Sequence, residues 1–427
     1  MSYEDWKEYK LGDFAEVQNG YAFKSNEFAK SGIPVIKIKN ITSSRISLED
    51  AQYYNAEISG RLKSFLINKN DILISMTGSH INQIASAVGK VGKYQHDFPA
   101  LLNQRVGKVY IKNSLIGDHN FLYYFLNRFE TQFKLATSAG GSANQANISP
   151  DQIKNLLINL PPLRVQRRIA AILSSLDEKI ELNHQTNQTL EAISQAIFKE
   201  WFIDFNFPDN TGKMKDSELG KIPNRWKVGK LQDEGTFKNG INYSREENGD
   251  TEYSIINVRN VVENKFISKS LLDTIKINKK KAIPYLLQAD DIVIVRSASP
   301  GESAIILMHE ENLIYSGFTI RYRLTNKNYF LYYFFIFQSV RKVFDNLSNG
   351  TTLKNINQEM LKEFTVIIPE ESLVLKFNKI IESLFNKVLT INQELRILTE
   401  LRDTLLPKLM KGEIPIPEVE KQISAII

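Results

Sequence analysis

The sequence predicts a mixed α/β fold class. Two globular units are each followed by a long helix, and the two helices pack as an intramolecular antiparallel coiled coil with pseudo-two-fold symmetry. Three observations predict this. The second half of the chain repeats the first in the same order. Short β-type runs alternate with helical segments in each half. Each half ends in a long apolar-periodic run without Gly or Pro until its end.

The repeat carries the most weight. WKEYKLGDFAEVQNG, from Trp6, is matched 220 residues later by WKVGKLQDEGTFKNG, from Trp226. Leu11 matches Leu231, and Asn19-Gly20 matches Asn239-Gly240. IKIKNI at 36–41 matches INVRNV at 256–261, and NDILIS at 70–75 matches DDIVIV at 290–295. FLYYFL at 121–126 matches FLYYFF at 330–335, and Ile148 and Pro161 pair with Ile356 and Pro369. Collinear matches that include turn residues and paired aromatics exclude chance.

Within the first unit VIKIKN (35–40), DILIS (71–75) and RVGKVYI (105–111) read as strands, and 121–136 reads as a helix. The second unit gives strands at SIINVRN (254–260), DIVIV (291–295), AIILM (304–308) and TIRYRL (319–324), then a helix over 329–347. Curved mixed sheets with exposed loops are expected. Asp71 and Asp291, each just before a strand, read as turn caps.

The long run after Pro162 places Ile169, Ile172, Leu176, Ile180, Asn183, Asn187, Leu190, Ile193 and Ile197 at spacings of three and four. The second places Phe377, Ile381, Leu384, Val388, Ile391, Leu395, Leu398, Arg402 and Leu405 on a heptad seam. Each helix would be roughly 55 Å long. A lone helix with one apolar stripe is not stable by propensity, so the two stripes should cover each other. Asn183 and Asn187 form either a tolerated polar layer or a register-fixing device. The expected boundaries are 1–162 for the first unit, 163–205 for the central helix, 206–370 for the second unit with its linker, and 371–427 for the distal helix and tail.

Composition narrows function by exclusion. The 427 residues contain no cysteine, so thiolate chemistry and cysteine metal sites are excluded. The formal charge is +6, which allows a polyanionic partner. Residues 164–200 carry five basic and five acidic side chains, so the excess lies outside the central helix. The start MSYEDWKEYK lacks an apolar signal core, and YFLYYFFIF at 329–337 is too short to span a bilayer. A soluble, cytoplasmic protein is expected. No phosphate loop GxxxxGK[ST], GxGxxG or HExxH occurs; SAVGKVGKY at 86–94 has the wrong spacing. His80, His96, His119, His184 and His309 form no ligand pattern. NLPPL at 159–163 reads as a turn and helix start rather than a methyltransferase motif. No catalytic, cofactor or metal residue is expected.

Further segments carry a resemblance. They are Leu11-Gly12-Asp13 with Asn19-Gly20, NDILIS, Asn103-Gln104, PPLRVQRRIAAILSSLDEKI (161–180), FKEWFIDF (198–205) and LRDTLLPKLMKGEI (401–414). With the duplicated layout they resemble the specificity subunit of type I restriction–modification systems over almost the whole chain. The second unit departs at IPEESLVLKFNKI, where Gln166 has no glutamine counterpart. The resemblance implies two target recognition domains, each reading half of a bipartite double-stranded DNA site, with the coiled coil as spacer. It implies docking of modification subunits, two of them, that carry S-adenosylmethionine and methylate adenine, and of restriction subunits that supply ATP-driven translocation and cleavage. The chain itself would be non-catalytic. The alternative is a duplicated protein scaffold that binds no DNA.

Base readout needs polar groups on loops that reach a groove, and phosphate contacts need cations. The first unit offers Lys37, Lys39, Thr77, Ser79, Asn82, Gln83, Asn103, Gln104, Arg105, Ser142, Asn144 and Gln145. The second offers Arg259, Arg296, Ser297, Ser299, Thr319, Thr351 and Lys354. Lys90, Lys93, Lys108, Arg245, Lys265, Arg321 and Arg323 are further candidate phosphate contacts.

Overall fold

A computed structural model describes all residues except 1–5, 43, 56, 59, 80–87, 143–144, 245–246, 268, 270–271, 348–354 and 427. The chain divides into two compact units. One is Met1–Asn183 with Glu394–Ile427, and the other is His184–Gln393. Each therefore holds one globular part and a portion of both long helices.

In the first unit a six-stranded sheet runs in the order Ala15–Asn19, Val106–Ile111, Ile72–Ser75, Val91–Lys93, Ser44–Ile46, Ile41–Thr42. A five-stranded sheet is built around Ile33–Ile36 and Ala100–Leu102, which pair parallel. In the second unit Gly235–Asn239, Thr319–Leu324, Ile292–Val295 and Ser303–Ile305 form the matching first sheet. Asp273–Ile277, Thr251–Ile256 and Leu313–Tyr315 form the second. The registers repeat: Asn19 faces Gly107 as Asn239 faces Ile320. Ile72, Ile74, Ile292 and Ile294 are fully buried, which is why such apolar strands sit mid-sheet.

The repeated aspartates are turn caps, as expected. Asp71 accepts the Asn68 N–H and Asp291 the Gln288 N–H, both at 2.8 Å. Each also holds a cation: Lys108 at 3.4 Å in the first unit, and Arg323 at 2.6 Å in the second.

Several element boundaries differ from expectation. The run 121–136 is two helices, His119–Leu126 and Phe129–Ser138, because Arg128 is extended and Thr131 Oγ1 donates to the Phe125 carbonyl (2.7 Å). SIINVRN is strand only to Ile256. Asn260 Oδ1 then accepts the Asn257 N–H (2.8 Å), and Val258–Glu263 is helical. A C-terminal helix, Ile416–Ile426, inserts Val419 and Ile423 into the first unit's core.

The long helices are Leu163–Phe198, continued by a π turn over Lys199–Ile203, and Glu371–Met410. Each starts directly after a strand ended by Pro161 or Pro369. In the first unit Arg402 meets Asp177 (3.1 Å), Lys179 meets Glu394 (3.2 Å), and Asn183 Nδ2 donates to Glu394 Oε2 (2.9 Å). Numbers rise on one helix as they fall on the other, so the pairing is antiparallel. In the second unit Asn187 Nδ2 donates to Asn392 Oδ1 (2.8 Å), and Phe198 packs on Phe377 with ring centroids 6.1 Å apart. That pairing is antiparallel too.

Seam residues Ile169, Leu176, Ile180, Phe377, Val388, Ile391, Leu398 and Leu405 are buried. Leu190, Ile197, Leu384 and Leu395 are half-buried at its margin. Ile193 does not belong to the seam. It is 43% exposed, and Ser194 is buried in its place, with its hydroxyl donating to the Leu190 carbonyl (2.8 Å).

Candidate nucleic-acid interface

Four chain segments converge in each unit, and main-chain hydrogen bonds fix them. In the first unit the turn after Ala15–Asn19 lies against the turn Asn103–Arg105. Tyr21 N donates to the Leu102 carbonyl, and Gln104 N to the Tyr21 carbonyl, both at 2.8 Å. A Cβ on Gly20 would sit 2.2 Å from the Asn103 carbonyl oxygen, so only glycine fits. Met76 N donates to the Arg105 carbonyl (2.8 Å), and Ile148 N to the Met76 carbonyl (3.0 Å). Thr77 pairs with Asn147, and its Oγ1 donates to Asn147 Oδ1 (2.7 Å).

The second unit repeats this network. Gly240 would place a Cβ 2.1 Å from the Ser316 carbonyl oxygen. Gly317 N donates to the Ile241 carbonyl (2.8 Å), Arg296 N to the Phe318 carbonyl (3.0 Å), and Ile356 N to the Arg296 carbonyl (2.9 Å). Ser297 bridges Asn355 antiparallel. Met76 thus corresponds to Arg296, Thr77 to Ser297, and Arg105 to Phe318.

The side chains at these equivalent places differ. The first unit exposes Gln104, Arg105 and Gln145, with Met76 buried beneath. The second exposes Phe318 (65%) and leaves Arg296 half-buried. Arginine and apolar residue have exchanged places across one backbone hydrogen bond. Phe318 went unmarked in the sequence, because only the register reveals it as the partner of Arg105.

Other expected residues take supporting places. Thr77 and Asn103 are buried, and Asn103 Oδ1 accepts the Arg105 N–H (3.4 Å). Thr319 is fully buried and donates to the Ser316 carbonyl (2.8 Å), so it shapes its turn from inside. Ser79, Ser297 and Ser299 are half-buried. Ser142 pairs with Gln145 in a hairpin. Asn82, Gln83, Asn144, Arg245, Thr351 and Lys354 lie outside the described residues.

The cations sort by what they touch. Asn103 N donates to the Ile36 carbonyl (3.2 Å), so the turn carrying Lys37 and exposed Lys39 leaves the sheet at the same end. Lys37 lies 3.7 Å from the Phe28 ring centroid and donates to Gln52. Burial, and then the charge of Lys39, lower its pKa. Arg259 is held by both carboxylate oxygens of Asp273 at 2.6 Å. Lys93 lies 4.4 Å from the Tyr123 ring centroid, and Lys265 meets Glu191 at 2.9 Å. Arg105 and Lys39 are the candidates most open to an anion.

No group of three or more His, Asp or Glu among the described residues could hold a metal ion, and no described helix is long and apolar enough to cross a membrane.

Comparison with known proteins agrees with this architecture. The chain is 24% identical to the type I restriction enzyme MjaIX specificity subunit of Methanocaldococcus jannaschii, over 97% of this chain and 95% of that protein. It is 26% identical to the HindI specificity subunit of Haemophilus influenzae, over 96% of this chain and 100% of that one. The crystal structure of a type I restriction–modification S subunit from M. genitalium shares the fold at a TM-score of 0.59 and 17% identity, covering 95% of this chain and 96% of that one. The family described as the type I restriction modification DNA specificity domain matches residues 3–192 and again 223–401, one copy for each half of the repeat; the chain belongs to that family.

Proposed function

We propose that each convergent loop cluster reads one half of a bipartite, asymmetric double-stranded DNA site. The observation that carries this is the shared main-chain network with exchanged side chains. Arg105 stands where Phe318 stands, and Met76 where Arg296 stands, so one scaffold offers two different reading surfaces. Arginine pairs bidentately with guanine or contacts phosphate, whereas an exposed phenylalanine suits a thymine methyl or a base step. Gln104 and Gln145 offer donors and acceptors to base edges, and Lys39 offers a phosphate contact.

The working boundaries are 1–162 and 206–370 for the two readers, with 163–205 and 371–427 supplying the helices. The coiled coil fixes the spacer between half-sites. The chain adds recognition to an assembly whose modification subunits, two of them, methylate adenine and whose restriction subunits translocate and cleave. Such work belongs with the chromosome, in the cytoplasm.

Exchange of residues 1–150 for the equivalent segment of a relative tests the reading. Methylated sites, sequenced from cells carrying the assembled complex, should change in one half only. A change in both halves refutes independent readers.

A further inference from the structure

The second unit holds a buried guanidinium with a nitrogen that has no hydrogen-bond partner among the described residues. Along Thr319–Leu324, Ile320, Tyr322 and Leu324 enter the aromatic core. By strand alternation Arg321 points to the opposite face. It is 8% exposed, and its buried Nε has no hydrogen-bond partner among the described residues. Asp291 does not serve it, because both oxygens of that carboxylate are taken by Arg323 at 2.7 and 2.6 Å. A buried guanidinium with an N–H left without an acceptor is destabilising, and an anion that joins it relieves that cost.

Its neighbours are also short of acceptors. Lys238 is the cross-strand partner of Arg321. It lies 4.8 Å from the Tyr285 ring centroid, and burial and then the charges of Arg321 and Arg323 lower its pKa. Tyr285 lies 6.2 Å from Tyr315, centroid to centroid. The buried hydroxyls of Tyr315 and Ser316 have no partner among the described residues.

The first unit lacks this excess. There the equivalent cross-strand pair is Gln18 and Lys108. Gln18 Nε2 donates to the Ser64 carbonyl (2.6 Å), and Lys108 is satisfied by the Leu66 carbonyl (3.0 Å) and Asp71.

We propose that Arg321, Lys238, Tyr315 and Ser316 form a phosphate-binding site in the second unit. Two cations and two hydroxyls suit a tetrahedral oxyanion better than a planar carboxylate, since they supply donors from several directions. Ser316 opens the turn that carries Phe318, so the site adjoins the proposed reading surface. The phosphate is either a DNA phosphodiester or free inorganic phosphate. The first source rests on the DNA reading proposed above; the second does not.

Two measurements on the full chain test the site. Melting is followed against inorganic phosphate, with chloride at equal ionic strength as control. At a hundredfold over half-saturation the wild type should melt about 5–10 °C higher. Arg321→Met should fold, because it removes an unpaired buried charge, and should lose the response. Tyr315→Phe should weaken phosphate binding about tenfold. The second measurement is the salt dependence of duplex binding. If a DNA phosphate occupies the site, Arg321→Met reduces the slope of log K against log salt by about 1. An unchanged slope with a lost phosphate response assigns the site to free phosphate. If neither property depends on Arg321, the proposal is wrong. A chain that binds no DNA still decides the matter through the phosphate measurement.

Discussion

Replacing Gly240 by alanine should disable one reader and spare the other. The added Cβ would fall 2.1 Å from the Ser316 carbonyl oxygen and 2.5 Å from its carbonyl carbon, whereas ordinary contact begins at 3.4 Å. Both atoms are backbone, so no side chain can swing aside. The turn Ser316–Thr319 must retreat by about 1.3 Å, the difference between 3.4 and 2.1 Å. Overpacking of this kind costs about 1–3 kcal/mol of stability, which leaves the unit folded. The displaced turn carries Phe318 and anchors Arg296, so on the proposed reading the contacts to the second half-site would be misplaced. Loss of one base pair's worth of recognition is about 1–3 kcal/mol, or roughly 5- to 150-fold in affinity. The assay uses the complex with its modification subunits. Duplexes carry both half-sites, or one half-site with the other scrambled. Gly240→Ala should bind the complete site about 5- to 150-fold more weakly than wild type, and should lose less than wild type does when the second half-site is scrambled. Gly20→Ala, whose Cβ would meet the Asn103 oxygen at 2.2 Å, should do the same with the first half-site. Wild-type discrimination at both half-sites, or equal loss at both from either variant, would refute the reasoning.

Four further outcomes follow from the packing. Asp291→Ala strands Arg323 beside Arg321 and should cost the second unit about 3–5 kcal/mol by calorimetry. Asp71→Ala should cost less, because its Lys108 pair is longer (3.4 Å) and partly solvated; equal losses would reject the comparison. Leu398→Ala removes a fully buried seam residue and should cost about 2–5 kcal/mol, while half-buried Leu395→Ala should cost clearly less in the same melting experiment. Glu420 is held below its usual pKa of 4.5 by its hydrogen bond to Arg168. Docking of Ile416–Ile426 is therefore favoured above about pH 4.5 and weakens as pH falls through the lowered value. Hydrogen exchange at pH 7 and 3.5 checks this, and Arg168→Gln should flatten the difference. A heptad inserted into each long helix adds about 10.5 Å and should widen the gap between half-sites by about three base pairs; an unchanged gap in the methylated sites argues against the helices as spacer.

The fold was legible where pattern and physics coincide. The repeat placed Asn19-Gly20 and Asn239-Gly240 as equivalents, and each proves to be a point where backbone meets backbone. The heptad spacing named Phe377, Leu398 and Leu405 because burial follows helical periodicity. Local hydrogen bonds defeated pattern elsewhere. A run of aromatics could not announce that Thr131 would break the helix, nor could VRN show that Asn260 would cap one. The polar loop residues were found by type, but type does not give orientation. Thr319 turned inward to bind its own turn, and Arg259 was claimed by Asp273. Phe318 is apolar, so residue type does not mark it as a contact; only the register does.

Duplication alone yields two identical readers and a symmetric site. Here the elements that hold the loops are those that repeat: the close-approach glycines, the cap aspartates and the bonds from Met76 or Arg296 to the facing turn. At Arg105, Phe318 and Arg296 the network takes only a main-chain N–H or C=O, whereas Met76 also fills the first unit's core. Arg105 can become Phe318, and Met76 can become Arg296, without loss of a framework hydrogen bond. Drift at such positions changes what is recognised while leaving how it is presented intact. The same logic explains the cation excess around Arg321. Lys108 and Arg323 both neutralise the cap aspartate of their unit, so the arginine that occupies Lys108's strand position in the second unit is released from that task. It is left buried and charged without that carboxylate, and the proposed phosphate is the anion that would offset the cost.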